Sequence, residues 1–254
     1  MDIRTYEKIY GVLESSNIKS VSRDFCVSEG VLSSILSQKM VRSNKALYHR
    51  VAKEADAFLK RWEDGESFVF LSNETGLSPV LMSIILLKCR GMTRREIQKM
   101  LRNPDMVNDK RLGRELSEVV KKDRLFSPHA HSLQIERAKI GEEIIRNWLL
   151  EKDIDFLTEK ELKKRGDLKT PDFLLEKHLK IDDMDINWID SKGLFGDEAE
   201  HRRLLKKQFL EYIELFGAGM VVYWYGFVDS IVEKESRTLI KDNTYFGVDN
   251  ARDF

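Results

Sequence analysis

Cysteine, proline and long apolar runs are scarce in this chain. Among its 254 residues are two cysteines, Cys26 and Cys89, which lie far apart and form no Cys-x-x-Cys pair. Their placement excludes a disulfide framework and a zinc site of the usual spacing. The first 125 residues hold only Pro79 and Pro104, and their apolar residues recur at intervals of three and four, so this half is predicted to be helical.

The sequence also lacks a membrane span and a secretion signal. No apolar run approaches the roughly 20 residues that a spanning helix needs, and the opening "MDIRTYEKIY" does not have the pattern of a signal peptide. With 42% hydrophobic and 34% charged residues, the chain can build one large core or two ordinary ones. We expect an intracellular protein without membrane association, cytoplasmic in a prokaryote and nuclear or cytoplasmic in a eukaryote.

Net charge is absent overall, but the two halves differ. Residues 1–125 carry 23 lysines and arginines against 17 acidic residues, whereas residues 126–254 carry 20 against 26. A basic half joined to an acidic one is typical of a polyanion-binding module beside a module that concentrates carboxylates. Chance surface composition is the alternative interpretation.

Two segments of the first half resemble each other at an offset of 50 residues. They are "VSEGVLSSIL" (27–36) and "LSPVLMSIIL" (77–86), each with a serine placed to cap a helix after a short helical segment and a turn. This is the pattern of a helix-turn-helix. The pairs either contact nucleic acid, with Lys39 on a polar position of the first, or serve only to pack helices.

A basic segment follows the second pair. "CRGMTRREIQKMLR" (89–102) offers Arg94 and Arg95 for phosphate contacts. The helical pattern loosens after residue 103, and we predict a domain boundary near residue 125. The two predicted domains are a tandem helix-turn-helix-like nucleic-acid-binding domain, residues 1–125, and a catalytic domain, residues 126–254.

The second half is predicted to be an α/β domain. An amphipathic helix (134–153) precedes a short strand (154–158), and two strands at 171–177 and 185–193 are close enough for an antiparallel hairpin. A long helix (197–217) leads to the apolar run "AGMVVYWYGFV", which is typical of a buried strand.

Three charged residues are predicted to meet at the hairpin strands. Asp172 opens the first strand, and period-two alternation places Asp190 and Lys192 on one face of the second, beside Asp172. Two close carboxylates raise each other's pKa unless a divalent cation lies between them, and hard oxygen ligands suit Mg²⁺ or Mn²⁺. Lys192 would orient or deprotonate a water or offset charge on a phosphate. Glu142 borders the buried stripe of its helix and is a candidate further ligand.

Isolated Asp-x-Lys triplets are common in soluble strands, and solvated strand ends are the alternative interpretation. The order of the residues favours the catalytic one: a helix glutamate, Pro171-Asp172, then Asp190-Ser191-Lys192 and a basic helix. In this order the chain resembles the PD-(D/E)xK nuclease superfamily. "QFLEY" (208–212) is similar to the QxxxY motif of its RecB-like branch. More narrowly, "KTPDFLL", "WIDSKGLFGDE" and "GAGMVVYWYGF" resemble the TPD-motif family, which has been grouped with Holliday-junction resolvase-like proteins.

The resemblance implies a restriction-endonuclease-like core with a central mixed sheet, a bound Mg²⁺ or Mn²⁺ and phosphodiester hydrolysis. The implied metal ligands are Asp172, Asp190, the Ser191 carbonyl and Glu142, with Lys192 as the catalytic lysine. Gln208 and Tyr212 would face the site and help to hold metal, water or substrate. Further residues implied to contact phosphates lie on the same helix: Arg202, Arg203 and Lys206.

The leading hypothesis is therefore a metal-dependent endonuclease acting on DNA, including branched or junction DNA. The alternatives are a nucleic-acid-binding or scaffold protein that retains the fold without catalysis, and a nuclease acting on RNA. Resolution of a junction would require two sites and hence a homodimer. Codanin is an implied partner only for animal members of the family.

Overall fold

The computed structural model describes residues 1–232 and 237–248. Its helices are α1 (Ile3–Val12), α2 (Ile18–Phe25), α3 (Glu29–Lys53), α4 (Ala55–Glu63), α5 (Phe68–Thr75), α6 (Pro79–Cys89), α7 (Arg94–Arg102), α8 (Lys110–Lys122), α9 (Pro128–Glu151), α10 (Glu159–Arg165), α11 (Glu198–Leu204) and α12 (Leu210–Phe216). Its strands are β1 (Phe156–Thr158), β2 (Phe173–Ile181), β3 (Met184–Lys192), β4 (Gly219–Tyr223) and β5 (Thr238–Asp242). The predicted combination of helical and mixed α/β structure is confirmed.

The chain divides into two compact units that differ from the predicted domains. The helical unit is Ser37–Ile135, and the sheet unit combines Met1–Leu36 with the described residues from Glu136 onward. The single boundary predicted near residue 125 therefore wrongly assigns the first 36 residues to the helical domain, because they belong to the sheet unit. Their apolar side chains are buried in the same core as the sheet, among them Tyr6, Ile9, Leu13, Val21 and Leu32.

Contacts of α1 and α3 explain why the N-terminal segment packs in the sheet unit. Tyr6 donates a hydrogen bond to the buried Asp197 at 2.9 Å and stacks on Phe195 with ring centroids 5.6 Å apart. Ser34 Oγ accepts a hydrogen bond from Phe195 N at 2.8 Å. The N-terminal helices thus hold the loop that leads from β3 to α11.

The internal repeat forms two pairs of helices, each joined by a short turn. In α2–α3, Cys26 has a left-handed backbone (φ 53°), and Ser28 Oγ accepts a hydrogen bond from Val31 N at 3.3 Å. In α5–α6, Gly76 takes the same region (φ 72°), and Ser78 caps its helix in the same way. Ser34 of the first pair binds the loop backbone, so this pair takes part in packing. Its contact with nucleic acid stays a prediction.

Two consecutive helices, α5 and α6, are strongly apolar. No single helix among the described residues is both long and apolar enough to cross a membrane. Within the part of the chain that the structure describes, only α5 and α6 taken together pass by length and composition, and they are bent by 114° relative to each other.

Among the described residues, the sheet has five strands in the order β1-β2-β3-β4-β5. The β1–β2 and β2–β3 pairs are antiparallel, as predicted for the hairpin, whereas β3–β4 and β4–β5 are parallel. Asp182 and Asp183 form the hairpin turn with positive φ angles of 47° and 64°, which match the twist of the adjoining strands. Strand β4 is buried throughout and lies between β3 and β5, as its apolar run predicted.

Candidate active site

Asp172, which directly precedes β2, lies opposite Asp190 on β3. The pairing of Phe173 with Ile189 places Asp172, one residue earlier, beside Asp190, one residue later. Asp172 Oδ2 accepts a hydrogen bond from Ser191 N at 2.7 Å. The proximity predicted from period-two alternation is therefore present in the structure.

Asp190 is fully buried and pairs with Lys192. The Lys192 ammonium group forms an ion pair with Asp190 Oδ1, and its side chain is only 15% exposed. Lys192 Nζ also lies 5.7 Å from the centre of the Phe209 ring. Because β3 alternates its side chains, both groups project from one face of the strand.

Gln208 and Tyr212 connect this pair to the loop before β2. Gln208 Nε2 donates to Asp190 Oδ2 at 3.2 Å and to Tyr212 OH at 2.7 Å, and Tyr212 OH donates to Thr170 O at 3.0 Å. The chain of contacts joins the Thr-Pro-Asp segment to the second aspartate. Gln208 lies in a π-helical segment, Leu205–Phe209, and such segments are frequent at functional sites.

Two glutamates add negative charge near the aspartates. Burial raises the pKa of Glu142, and the charges of Glu159 and Asp190 raise it further. Glu159 begins α10, donates its backbone N–H to Asp172 O at 3.1 Å and forms an ion pair with Lys163. The sequence did not single out Glu159, although the capping box Thr158–Glu161 marks the start of its helix.

Burial dominates the electrostatics of the aspartates. It raises the pKa of Asp172 well above the ordinary value, with the Asp190 charge as the next cause, and it raises the pKa of Asp190 as well. For Lys192, burial lowers the pKa while Asp190 and Asp172 raise it, and the balance lies above the usual range. A single lysine thus faces two desolvated carboxyl groups, and the raised pKa of Asp172 indicates that the site disfavours two ionised carboxylates without a further cation.

The oxygen donors of the site determine which metal it can hold. Among the described residues, no group of three or more histidine, cysteine, aspartate and glutamate side chains is arranged to hold an ion. The two carboxylates alone are hard oxygen donors in mutual repulsion, which fits a divalent cation such as Mg²⁺ that keeps several waters.

The other predicted residues are distributed over both units. Arg202 and Lys206 are exposed, and Arg203 pairs with Glu200 through Nη2 at 2.5 Å. The charge of Arg203 also acts on the pKa of Lys192, so this arginine lies within electrostatic range of the site. The remaining predicted residues, Arg94, Arg95 and Lys39, belong to the helical unit. Arg94 and Arg95 are exposed on α7.

His201 is buried on α11 and bears on stability. Its Nδ1 lies 2.8 Å from Tyr223 OH, and Nε2 has no hydrogen-bond partner among the described residues. Burial lowers the pKa of His201 to about 4. The hydrophobic surroundings, which include Phe209 with ring centroids 6.1 Å apart, explain why the neutral imidazole is preferred.

We expect His201 to make the fold acid-sensitive. An unfolded histidine binds a proton near pH 6.5, so between pH 6.5 and about 4 the unfolded state binds more protons than the folded state. Stability is therefore lost as the pH falls through this window, by about 2 kcal/mol between pH 7 and pH 5. Urea unfolding of the wild type and of His201→Gln at both pH values measures the difference. The exposed His178→Gln is the control, and an equal pH response in all three proteins would contradict the expectation.

The geometry agrees with comparisons to known proteins. A family model described as a protein of unknown function with a TPD sequence motif matches residues 108–244, more than half of the chain. The chain belongs to the TPD-motif family. Thr170, Pro171 and Asp172 are the residues of that motif, and the predicted family membership is confirmed.

Curated relatives in the TPD-motif family cover most of the chain. CDAN1-interacting nuclease 1 of Bos taurus is 32% identical over 221 residues, which is 80% of this chain and 78% of the relative. The Homo sapiens protein of that name is 31% identical over 232 residues, 84% of this chain and 82% of the relative. The Danio rerio protein of that name is 32% identical over 180 residues, which is 68% of this chain and 60% of the relative. No solved structure was found that matches the chain.

Proposed function

We propose that this member of the TPD-motif family is a divalent-metal-dependent endonuclease that hydrolyses phosphodiester bonds in DNA. The carrying observation is the single cluster in which Asp172 lies opposite Asp190 while Lys192 and Gln208 contact Asp190. The name of the curated relatives describes them as nucleases, which supports the same reaction class.

Asp172 and Asp190 would hold the metal, with the Ser191 carbonyl as a further oxygen donor. Glu142 was predicted as another ligand, but among the described residues no three acidic side chains are arranged to hold an ion, so Glu142 would lie near the metal without completing such a set. The fit rests on the desolvation of the two aspartates and on the Asp190 charge, which raise the pKa of Asp172 and favour a cation beside it. A bound Mg²⁺ or Mn²⁺ would supply Lewis acidity toward a phosphate oxygen and lower the pKa of a water. Asp172 is further fixed by the backbone N–H of Ser191.

Lys192 acts in this proposal as a cation rather than as a base. The neighbouring aspartates keep its pKa above the ordinary value, so it stays protonated and stabilises the charge that develops on the transferred phosphate. Gln208 orients Asp190 by donating to Oδ2, and Tyr212 fixes the Thr170 carbonyl. These two residues position the ligands without exchanging protons with the substrate.

The helical unit is proposed to contact the phosphate backbone. Residues 37–135 carry 19 lysines and arginines against 12 acidic residues, a net charge of +7, and the rest of the chain carries −7. The difference in net charge is therefore larger between the two compact units than between the two halves of the sequence. Exposed Arg94 and Arg95 on α7 are suited to sequence-independent contacts. Arg202, Arg203 and Lys206 would meet phosphates near the site.

A cleavage assay with purified protein tests the proposal. Supercoiled plasmid, linear duplex, four-way junction and RNA hairpin are incubated with Mg²⁺, Mn²⁺ or EDTA, and wild type is compared with Asp190→Ala. We expect metal-dependent cleavage of DNA by the wild type alone. Equal activity of Asp190→Ala would contradict the assigned site, and cleavage of RNA alone would overturn the DNA substrate.

Retained DNA binding without cleavage in any metal would instead favour the non-catalytic binding or scaffold function. Paired incisions in the junction would indicate two cooperating sites, and sedimentation of the protein with the junction would show whether they come from a homodimer. Binding to codanin is a separate proposal for animal members, as the relatives are named for an interaction with CDAN1.

A further inference from the structure

Trp224 makes two contacts with the strand that carries the aspartate and the lysine. Its indole Nε1 donates to Ser191 Oγ at 2.7 Å, and its backbone N–H donates to Lys192 O at 3.1 Å. Trp224 directly follows β4, and its side chain is fully buried. The "YWYGF" segment, which the proposed chemistry leaves without a role, is therefore attached to two consecutive residues of the Asp-Ser-Lys triplet.

Helix α9 also lies against the indole, close to the same Nε1 atom. A Cβ atom on Gly141 would come within 2.2 Å of Trp224 Nε1 and 2.7 Å of Cε2, so only glycine allows this approach. The next residue on the helix is Glu142, whose pKa responds to the charge of Asp190. Phe246, with its ring centroid 5.4 Å away, also packs against the indole.

Ser191 links the indole to the metal ligands. Its side chain is held by Trp224, while its backbone N–H donates to Asp172. A rotation of the peptide at Ser191 would move both this N–H and the neighbouring Asp190. The indole is therefore linked to both aspartates through Ser191: to Asp172 by the backbone N–H of Ser191, and to Asp190 as the preceding residue of the chain. In this network the indole itself contacts neither carboxylate.

We propose that Trp224 is a positioning residue that fixes the Ser191 peptide and the distance of Glu142 from the two aspartates. The inference rests on the proposed nuclease function and adds a residue to it. Partners of this kind around metal ligands typically change metal affinity or activity 10- to 100-fold when removed. A purely structural tryptophan would lower stability without changing metal affinity.

A double-mutant cycle separates these roles. Trp224→Phe removes the indole N–H and keeps an aromatic ring, and Ser191→Ala removes the acceptor. Both single variants and the double variant are compared by calorimetric Mn²⁺ titration, by kcat and KM on plasmid DNA, and by thermal unfolding. Trp62→Phe is the matched control, because this buried tryptophan of the helical unit also donates its indole N–H, to Glu115 at 2.9 Å.

We expect each single variant to weaken Mn²⁺ binding and lower kcat about 10-fold with little change in KM. The double variant should be no worse than either single variant, because all three lack the same hydrogen bond. Trp62→Phe should lose stability and keep both metal affinity and kcat.

Additive losses in the cycle, or a Trp224→Phe variant that matches Trp62→Phe in all readouts, would overturn the positioning role. A wild type that binds Mn²⁺ but cleaves nothing refutes the proposed nuclease activity, and the Mn²⁺ titrations then still decide the role of Trp224. A wild type that binds no Mn²⁺ overturns both.

Discussion

Replacing Lys192 by methionine is expected to reduce the rate of DNA cleavage by about 100- to 1,000-fold, the range found when one preorganised donor to a developing negative charge is lost. Methionine keeps much of the side-chain volume and removes the charge. The fully buried Asp190 would lose its ion-pair partner, so the metal-free protein should also be destabilised, by about 3 kcal/mol. Single-turnover cleavage and urea unfolding measure the two effects.

Mg²⁺ separates the catalytic effect from the structural one. A cation bound at Asp190 would replace part of the missing positive charge, so Mg²⁺ should stabilise Lys192→Met more than the wild type while activity stays low. Lys241→Met is the control, because Lys241 on β5 also pairs with an aspartate, but this partner, Asp182 of the hairpin turn, is exposed. Such pairs contribute less than about 1 kcal/mol. Full activity of a folded Lys192→Met would contradict the assigned role.

The parts of the site that local patterns specify were predictable from sequence. The antiparallel hairpin follows from two alternating strands and an aspartate-rich turn, but its register does not. Continued from the turn, where Ile181 pairs with Met184, the pairing would place Asp172 opposite Gly193, and an irregularity between Leu174 and Leu179 shifts it so that Asp172 lies beside Asp190. Gln208 and Tyr212 followed from their spacing on one helix once the family resemblance was recognised, and both contact the site. Strand pairing and helical periodicity are short-range properties, which explains this agreement.

Contacts between distant segments were not predictable. Residues 1–36 have the same helical pattern as residues 37–125, and only packing assigns them to the sheet unit. The Tyr6–Asp197 hydrogen bond spans 191 positions, beyond the reach of periodicity. Glu159 and Trp224 were not identified for the same reason. Glu159 begins a short helix and Trp224 directly follows β4, and the partners of both come from other parts of the chain.

Stability and catalysis are expected to conflict at Asp172. This carboxylate faces Asp190, and burial strengthens their repulsion because solvent no longer screens it. Asp172→Asn removes the repulsion and keeps an oxygen that can accept from Ser191 N. Without metal the variant should therefore unfold at a higher temperature than the wild type, by roughly 2–4 °C for about 1 kcal/mol, while cleavage is abolished. Calorimetric unfolding in EDTA measures the shift.

Mg²⁺ should reverse the order of the two proteins. Binding to the folded wild type at about 100 times its dissociation constant adds about 2.7 kcal/mol, and Asp172→Asn lacks the ligand needed for this gain. The exposed Asp185→Asn, on β3, is the control and should follow the wild type with and without metal. If Asp172→Asn were less stable than the wild type in EDTA, hydrogen bonding of Asp172 would stabilise the metal-free protein more than its repulsion with Asp190 destabilises it, and the expectation would be wrong. Unchanged stabilisation of the variant by Mg²⁺ would place the metal elsewhere.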